Sequence, residues 1–283
     1  MRTVCLIFAV CSLAAGCAAP APARRPAEVI IVGTIHAGHL HSSLYTPEVL
    51  RQIVVELKPD AIVHELPLSQ WDVASGRPLQ REYPASDTGP GCPENWAGDQ
   101  AAQLLHIRQI PFDRPDRQEH FKATMYFERE RTAFGALDAR REELRSGKID
   151  KPAAAILSEF FSQILEAEVK LDKCSPREIN CQAYDQVIRT KSDIRQALVE
   201  EVLADADSTA LQDMRFFDRD WQERNEIMAS NILRAASQHP GGRLVVLTGA
   251  AHRYILRDLL ISHADVRLRE YWEVADFDSA KAR

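Results

Sequence analysis

The chain reads as an α/β protein on a parallel sheet, and three observations predict it. Runs of β-branched and aliphatic residues at 29–32, 61–64 and 243–247 lack polar alternation, as strands covered on both faces do. Apolar residues at helical spacing separate the first two runs, which is the order of a β-α-β unit. Two of the runs end in a glycine turn followed by a histidine, as Gly33-Thr34-Ile35-His36 and Gly249-Ala250-Ala251-His252.

From the N-terminus, Arg2 precedes an apolar stretch over 4–15 that is too short to span a bilayer and has the form of a secretory signal. It ends in Leu13-Ala14-Ala15-Gly16-Cys17, which looks like a bacterial lipobox. On this reading residues 1–16 are removed, Cys17 carries lipid, and 17–27 form an Ala/Pro tether that cannot build a core. A plain secretory signal with an incidental cysteine is the alternative. Ala18 stands where an aspartate would favour inner-membrane retention, so an outer-membrane lipoprotein facing the periplasm is expected. In that oxidising compartment Cys174 and Cys181 are spaced for a local disulfide, with Cys92 left over or competing. No C-x-x-C pair points to a zinc–cysteine site.

The domain is expected over 28–275, followed by a short tail over 276–283. After the first strand, Thr46-Pro47-Glu48 has the cap, first-turn proline and acid of a helix start. Val49, Leu50, Ile53, Val54 and Leu57 then share one face, Lys58-Pro59-Asp60 closes the helix, and the second strand ends at Glu65. Residues 69–98 are rich in Pro, Gly and polar side chains and read as irregular loop. A helix over 99–109 leads to a short strand over 110–112, where Pro111 favours an edge position, and then to Asp113-Arg114. Residues 118–218 read as a charged helical insertion with helices over 121–145, 153–173 and 183–204. A last helix over 221–237 precedes the second glycine-histidine strand.

The formal net charge of −6 argues against a general nucleic-acid binder. No G-x-S-x-G elbow, P-loop, H-E-x-x-H helix or dinucleotide fingerprint is present. The chemistry instead gathers at strand ends, where His36, Glu65, Asp113 and His252 stand, and open α/β sheets bind ligands outside the carboxyl ends of their strands. Two imidazoles and a carboxylate, His36, His252 and Glu65, are a common set for a catalytic divalent ion with bound water. The same groups also serve without metal, a histidine as general base and a carboxylate to orient it. His39 and His41 are further ligands or a solvated loop, and His64 alternates to the face opposite Glu65. Arg224 shares a helix face with Ile227, Met228 and Asn231, so it needs a partner: Asp113 or Glu65 internally, or a substrate carboxylate or phosphate. Arg114 beside Asp113 poses the same choice.

Taken in order, Gly33-Thr34-Ile35-His36, Glu65, Asp113-Arg114, Glu223-Arg224-Asn225 and Gly249-Ala250-Ala251-His252 resemble the TraB/Tiki family, GumN-like members included, and more distantly the ChaN and erythromycin-esterase-like (EreA/ChaN-like) proteins. The resemblance spans the N-terminal third and the C-terminal quarter and leaves the helical middle outside it. It implies an EreA/ChaN-like core of two related β-α halves with the histidine motifs facing each other. It also implies His36, Glu65 and His252 as the catalytic or metal-binding set, supported by Arg224 and Asp113, with Arg114 and Asn225 at a cofactor. Tiki-like members are metal-dependent proteases, erythromycin-esterase-like members hydrolases, and ChaN-like members haem-binding lipoproteins. The expectation is therefore a Mn-, Co- or Zn-dependent hydrolase, peptidase or esterase-like, acting on a peptide or small molecule at the periplasmic side. It would be held to the membrane through Cys17, bind no nucleic acid, and stand as monomer or homodimer. A haem- or small-ligand-binding lipoprotein is the alternative, and a scaffold whose polar cluster only joins the halves is a third. The Ala-Ala of the second motif and the extra histidines of the first depart from the pattern and leave metal stoichiometry open.

Overall fold

The computed structural model describes residues 25–79, 85–86, 89–90, 92–148, 155, 158–159, 162, 173–203 and 208–275. The signal-like segment with Cys17, most of the tether, nearly all of the expected helix over 153–173 and the tail lie outside these residues. Among the described residues no helix is long and apolar enough to cross a membrane.

Five strands, β1 (Ala27–Thr34), β2 (Ala61–His64), β3 (Arg108–Pro111), β4 (Arg243–Gly249) and β5 (Val266–Arg269), make one sheet in the order β3-β2-β4-β1-β5. Every pair in it is parallel. The central strands are the unbroken apolar runs of the sequence, because both of their faces are covered. The edge position of the proline-bearing β3 follows the expectation from Pro111. Strand β5 escapes the periodicity signal used for the others: Val266-Arg267-Leu268-Arg269 alternates, since as the other edge strand it is only half buried.

Helix α1 (Pro47–Leu57) starts where the sequence places it. The Thr46 side chain accepts from the Val49 N–H, Pro47 occupies the first turn, and Val49, Leu50, Ile53, Val54 and Leu57 are the buried face. Helix α2 (Pro93–Leu105) begins six residues before the expected 99, inside the stretch read as loop. Its start is Cys92-Pro93-Glu94, a proline at the first position and an acid in the first turn, which stabilises a helix N-terminus. These two helices pack on Ile30, Val32, Ile62, Val245 and Leu247, one face of the sheet.

Further helices among the described residues are α3 (Arg117–Ala123), α4 (Tyr126–Arg145), α5 (Pro176–Ile179), α6 (Gln182–Leu203), α7 (Ser208–Gln238) and α8 (Ala250–Leu260). Met228, Ile232, Ala235 and Ala236 of α7, with Leu256 and Leu260 of α8, cover Val29, Ile31, Val63, Leu244 and Val246 on the opposite face. The architecture is thus three layers, α/β/α. The helix expected over 121–145 is broken before Tyr126, where Met125 turns into the left-handed region at φ 51°. Helix α7 runs unbroken from Ser208, across the expected insertion boundary and well before the expected start at 221. Cys174 and Cys181 do not form the expected disulfide. The single-turn α5 lies between them, fixed by a reciprocal Ser175–Glu178 capping box, and the Cys181 thiol donates to the Glu178 carbonyl at 3.1 Å.

Two buried groups hold the layers in place. Arg253, with no exposed surface, pairs with Asp185 of α6 and with Glu270 after β5, tying α8 to both. His64 is fully buried and points into the α1/α2 layer. Burial lowers its pKa to about 4; Asp99, Asn95 and Gln109 beside it pull it back only in part. Gly98 of α2 makes room for this ring. A Cβ at Gly98 would collide with His64 Cε1 and lie 2.9 Å from Leu247 Cδ1. Gly98→Ala is therefore expected to lower stability by about 1–3 kcal/mol in urea unfolding. Gly135→Ala, where a Cβ meets nothing within 4 Å, should leave it unchanged or slightly raised; equal effects would remove the packing argument.

A candidate acid–base site at the carboxyl edge of the sheet

Strands β3, β2, β4 and β1 are consecutive neighbours and run the same way, so their carboxyl ends share one edge. Asp113 follows β3, Glu65 follows β2, His252 lies in the first turn of α8 directly after β4, and His36 follows β1. Register then sets local contacts. His64 pairs with Leu247, which brings Glu65 beside Thr248 and Gly249. Glu65 Oε2 accepts from the Thr248 hydroxyl at 2.8 Å and the Gly249 N–H at 2.7 Å.

Arg224 of α7 reaches this edge because Met228 and Asn231 on the same face are buried against the sheet and Asn231 Nδ2 donates to the Phe112 carbonyl at 2.9 Å. Its partners are internal carboxylates. Nε donates to Asp113 Oδ1 at 2.8 Å, while Nη2 donates to Asp113 Oδ2 at 2.8 Å and to Glu65 Oε1 at 2.7 Å. Nη1 lies 3.4 Å from His252 Nε2. The Asp113 side chain is 0% exposed and also receives Arg117 and the Arg114 N–H. This is the planar, bidentate geometry that suits guanidinium and carboxylate. Burial opposes ionisation of Glu65, but His252, Arg224 and His36 outweigh it and hold the carboxyl well below its ordinary range.

The two histidines have opposite surroundings. His252 is buried, with its ring stacked on Trp221 at 4.1 Å and 23°. Asn225 Nδ2 donates to the Trp221 carbonyl at 2.7 Å, which turns Asn225 Oδ1 toward His252 Nδ1, also at 2.7 Å. Nδ1 therefore carries the hydrogen, a tautomer assigned from this network, and the Nε2 lone pair faces Glu65 and Arg224. Burial lowers the His252 pKa; Glu65, at 3.4 Å, raises it without reversing the shift, and Arg224 lowers it further. His36 instead leaves the strand with φ 48°, and its side chain is 57% exposed. Its Nδ1 lies 2.7 Å from Glu94 Oε1. Desolvation by the protein packed around the ring works against its charge, but the hydrogen bond and charge of Glu94, aided by Glu65, raise its pKa to about 9. The ring rests on the backbone of Gly249, where a Cβ would collide with His36 Nε2. At neutral pH the edge thus holds an imidazolium and a neutral imidazole.

Glu94 and Trp221 were not singled out from the sequence. Glu94 lay inside the stretch read as loop, although Pro93-Glu94 is a legible helix start. Trp221 stands at helical spacing from Arg224 and Asn225, a signal that would have placed it on the same face. Among the expected residues, Asn225 orients His252, whereas Arg114 is turned away from the site. Its Nε bonds Asp116 at 3.1 Å and its Nη1 lies 3.3 Å from Glu223. His39 is neither a solvated loop residue nor part of the site: it is buried, takes the Ile35 N–H on Nε2 at 3.1 Å and donates to the Tyr45 carbonyl at 2.6 Å.

Among the described residues no three His, Cys, Asp or Glu side chains are grouped to hold a metal ion. The set His36, Glu65 and His252 does not fit one as arranged. Both Glu65 oxygens already accept hydrogen bonds, a guanidinium lies on Glu65 and beside His252 Nε2, and His36 gives Nδ1 to Glu94. A divalent ion there would sit against the charge of Arg224. Haem iron on His252 Nε2 meets the same obstacle. Compared with known proteins, the chain matches no family model, no curated protein and no solved structure.

Proposed function

We propose that the protein is a hydrolase of amide or ester bonds that uses His252 as general base and His36 as general acid. The observation that supports this reading is the divergence of the two histidines, one lowered by burial and one raised to about 9 beside Glu94. Environments that push two titratable groups apart in this way assign the acid and the base. The reading keeps the hydrolase expectation of the TraB/Tiki resemblance, with the two-halved EreA/ChaN-like core as its scaffold.

Each group then has one task. Water at His252 Nε2 loses a proton to the ring as it attacks the carbonyl carbon, and Glu65 at 3.4 Å stabilises the imidazolium formed. Asn225 holds the tautomer that makes this direction possible. Arg224 Nη1, 3.4 Å from His252 Nε2, is the donor to the oxygen on which charge develops, while Asp113 fixes the guanidinium plane from behind. His36, protonated, delivers its Nε2 proton to the leaving group, and Glu94 keeps it charged.

Purified chain is to be assayed on p-nitrophenyl esters and amino-acid p-nitroanilides across pH. Turnover is expected to fall on the alkaline side as His36 deprotonates near 9. His36 is charged below its pKa, and Glu94 is what raises that pKa, so Glu94→Gln should move this limb to lower pH. Because the ring is half exposed the shift should be about 1 unit. No turnover above a His36→Ala background would sink the proposal. Activity lost in chelator and restored by Mn²⁺, Co²⁺ or Zn²⁺ would return the metal-dependent mechanism in its place.

A further inference from the structure

We infer that the substrate carries an aromatic or branched apolar group beside its scissile bond, held in a cleft behind Trp221. This rests on the hydrolase reading and names the substrate class for the same site. One face of the Trp221 ring lies on His252, so this side chain is a shared wall between the base and whatever adjoins it. Trp221 also lines a cavity of about 150 Å³ together with Ile188 of α6, Phe217 of α7, and Ala251 and Tyr254 of α8. An apolar space of about this size accommodates a benzene ring. A second space of about 230 Å³ shares Trp221 and Tyr254 and continues between the three helices.

The charges of the cleft stand in its larger continuation, where Asp193, Asp218 and Asp258 line the space together with Arg189. Arg189, in the continuation, is engaged by Asp258 at 2.6 Å and lies over the Tyr254 ring at 5.0 Å. Lys191 and Ser192 are the polar residues lining the smaller cavity. Its walls are otherwise aromatic or aliphatic, and aromatic walls favour an aromatic guest through stacked and edge contacts. Ala251, the exposed residue immediately before His252, lines this cavity. Here the Ala-Ala of the second glycine-histidine motif acquires a use: a larger side chain at 251 would project into this cavity behind Trp221.

Binding and turnover separate this inference from the hydrolase reading. Calorimetric titration of the full chain with N-acetyl-L-phenylalaninamide and N-acetyl-L-alaninamide reads the cleft without chemistry, and the kcat/KM ratio of the matching p-nitroanilides reads it with chemistry. The phenylalanine compounds should be favoured about 10–200-fold, the range in which apolar pockets discriminate. Ala251→Leu, with its circular dichroism and melting checked against the parent, should bring both preferences near unity by filling the space. Preferential binding of the phenylalaninamide without turnover of any probe would uphold the cleft and overturn the hydrolase. Turnover with equal kcat/KM for both anilides and no binding preference would uphold the hydrolase and overturn the cleft. A preference that survives Ala251→Leu would also overturn the cleft.

Discussion

Arg224→Met is expected to lower the stability of the fold by about 3–5 kcal/mol, the cost of removing one partner from a buried charge cluster. The reason lies in what remains. Asp113, fully buried, would keep Arg117 and the Arg114 N–H but lose both guanidinium bonds from Arg224. Glu65 would keep Thr248 and the Gly249 N–H and lose its only cation within 3 Å among the described residues. Two carboxylates facing an apolar side chain then repel each other and cannot both stay ionised without penalty. Arg117 places the loss toward the lower end of the range. The loss should shrink as pH falls, because protonating one carboxylate removes the unpaired charge; Asp113→Asn in the Arg224→Met background should recover part of it at neutral pH. Urea unfolding at pH 7 and pH 5 measures both. A loss below about 1 kcal/mol, typical of an exposed ion pair, would show that Arg224 is not the partner these carboxylates depend on.

His252→Gln is expected to reduce kcat/KM by about 10²–10⁴-fold, the contribution of a positioned general base. Glutamine is chosen over alanine because His252 is buried against Trp221, and truncation would leave a cavity and confound rate with folding. Asn225→Leu should act through the ring and not on substrate: it leaves the imidazole but removes the acceptor that fixes Nδ1 as the donor. It is thus a positioning change, and a partial loss in kcat with little change in KM, in a variant whose circular dichroism and melting match the parent, distinguishes it from a folding defect. The wild-type acid limb should lie below 6.5, the ordinary histidine value, because His252 is lowered by burial. The same sign governs stability. A histidine depressed in the fold takes up its proton more readily when unfolded, so the fold weakens as pH falls below 6.5. His64, lowered to about 4, adds to that loss, and its share is not recovered by any site variant. A His252→Gln rate within threefold of wild type would remove His252 from the chemistry.

How much of this was legible beforehand depends on the physics behind each feature. Helix α1 was legible nearly to the residue because its cap, proline and apolar stripe are local signals that the fold leaves intact. Strand β5 was not, since an edge strand of alternating valine, leucine and arginine has half the apolar signal of a covered one. The start of α2 was masked by the Pro- and Gly-rich composition before it, and with it went Glu94. A disulfide between Cys174 and Cys181 was suggested by spacing alone, but a capped helical turn lies between them and the Cys181 thiol donates to the Glu178 carbonyl instead.

By itself the sequence determined that this chain forms a covered parallel sheet and that His36, Glu65, Asp113 and His252 stand at the carboxyl ends of its strands. Strand direction and residue order suffice for that, because parallel neighbours must end on the same edge. Only the tertiary structure decided that Arg224 spends its charge on Asp113 and Glu65, that Trp221 and Asn225 pin one histidine, and that Glu94 charges the other. A side chain's protonation state is set by its burial and by partners remote in the chain, and no local pattern of residues encodes either.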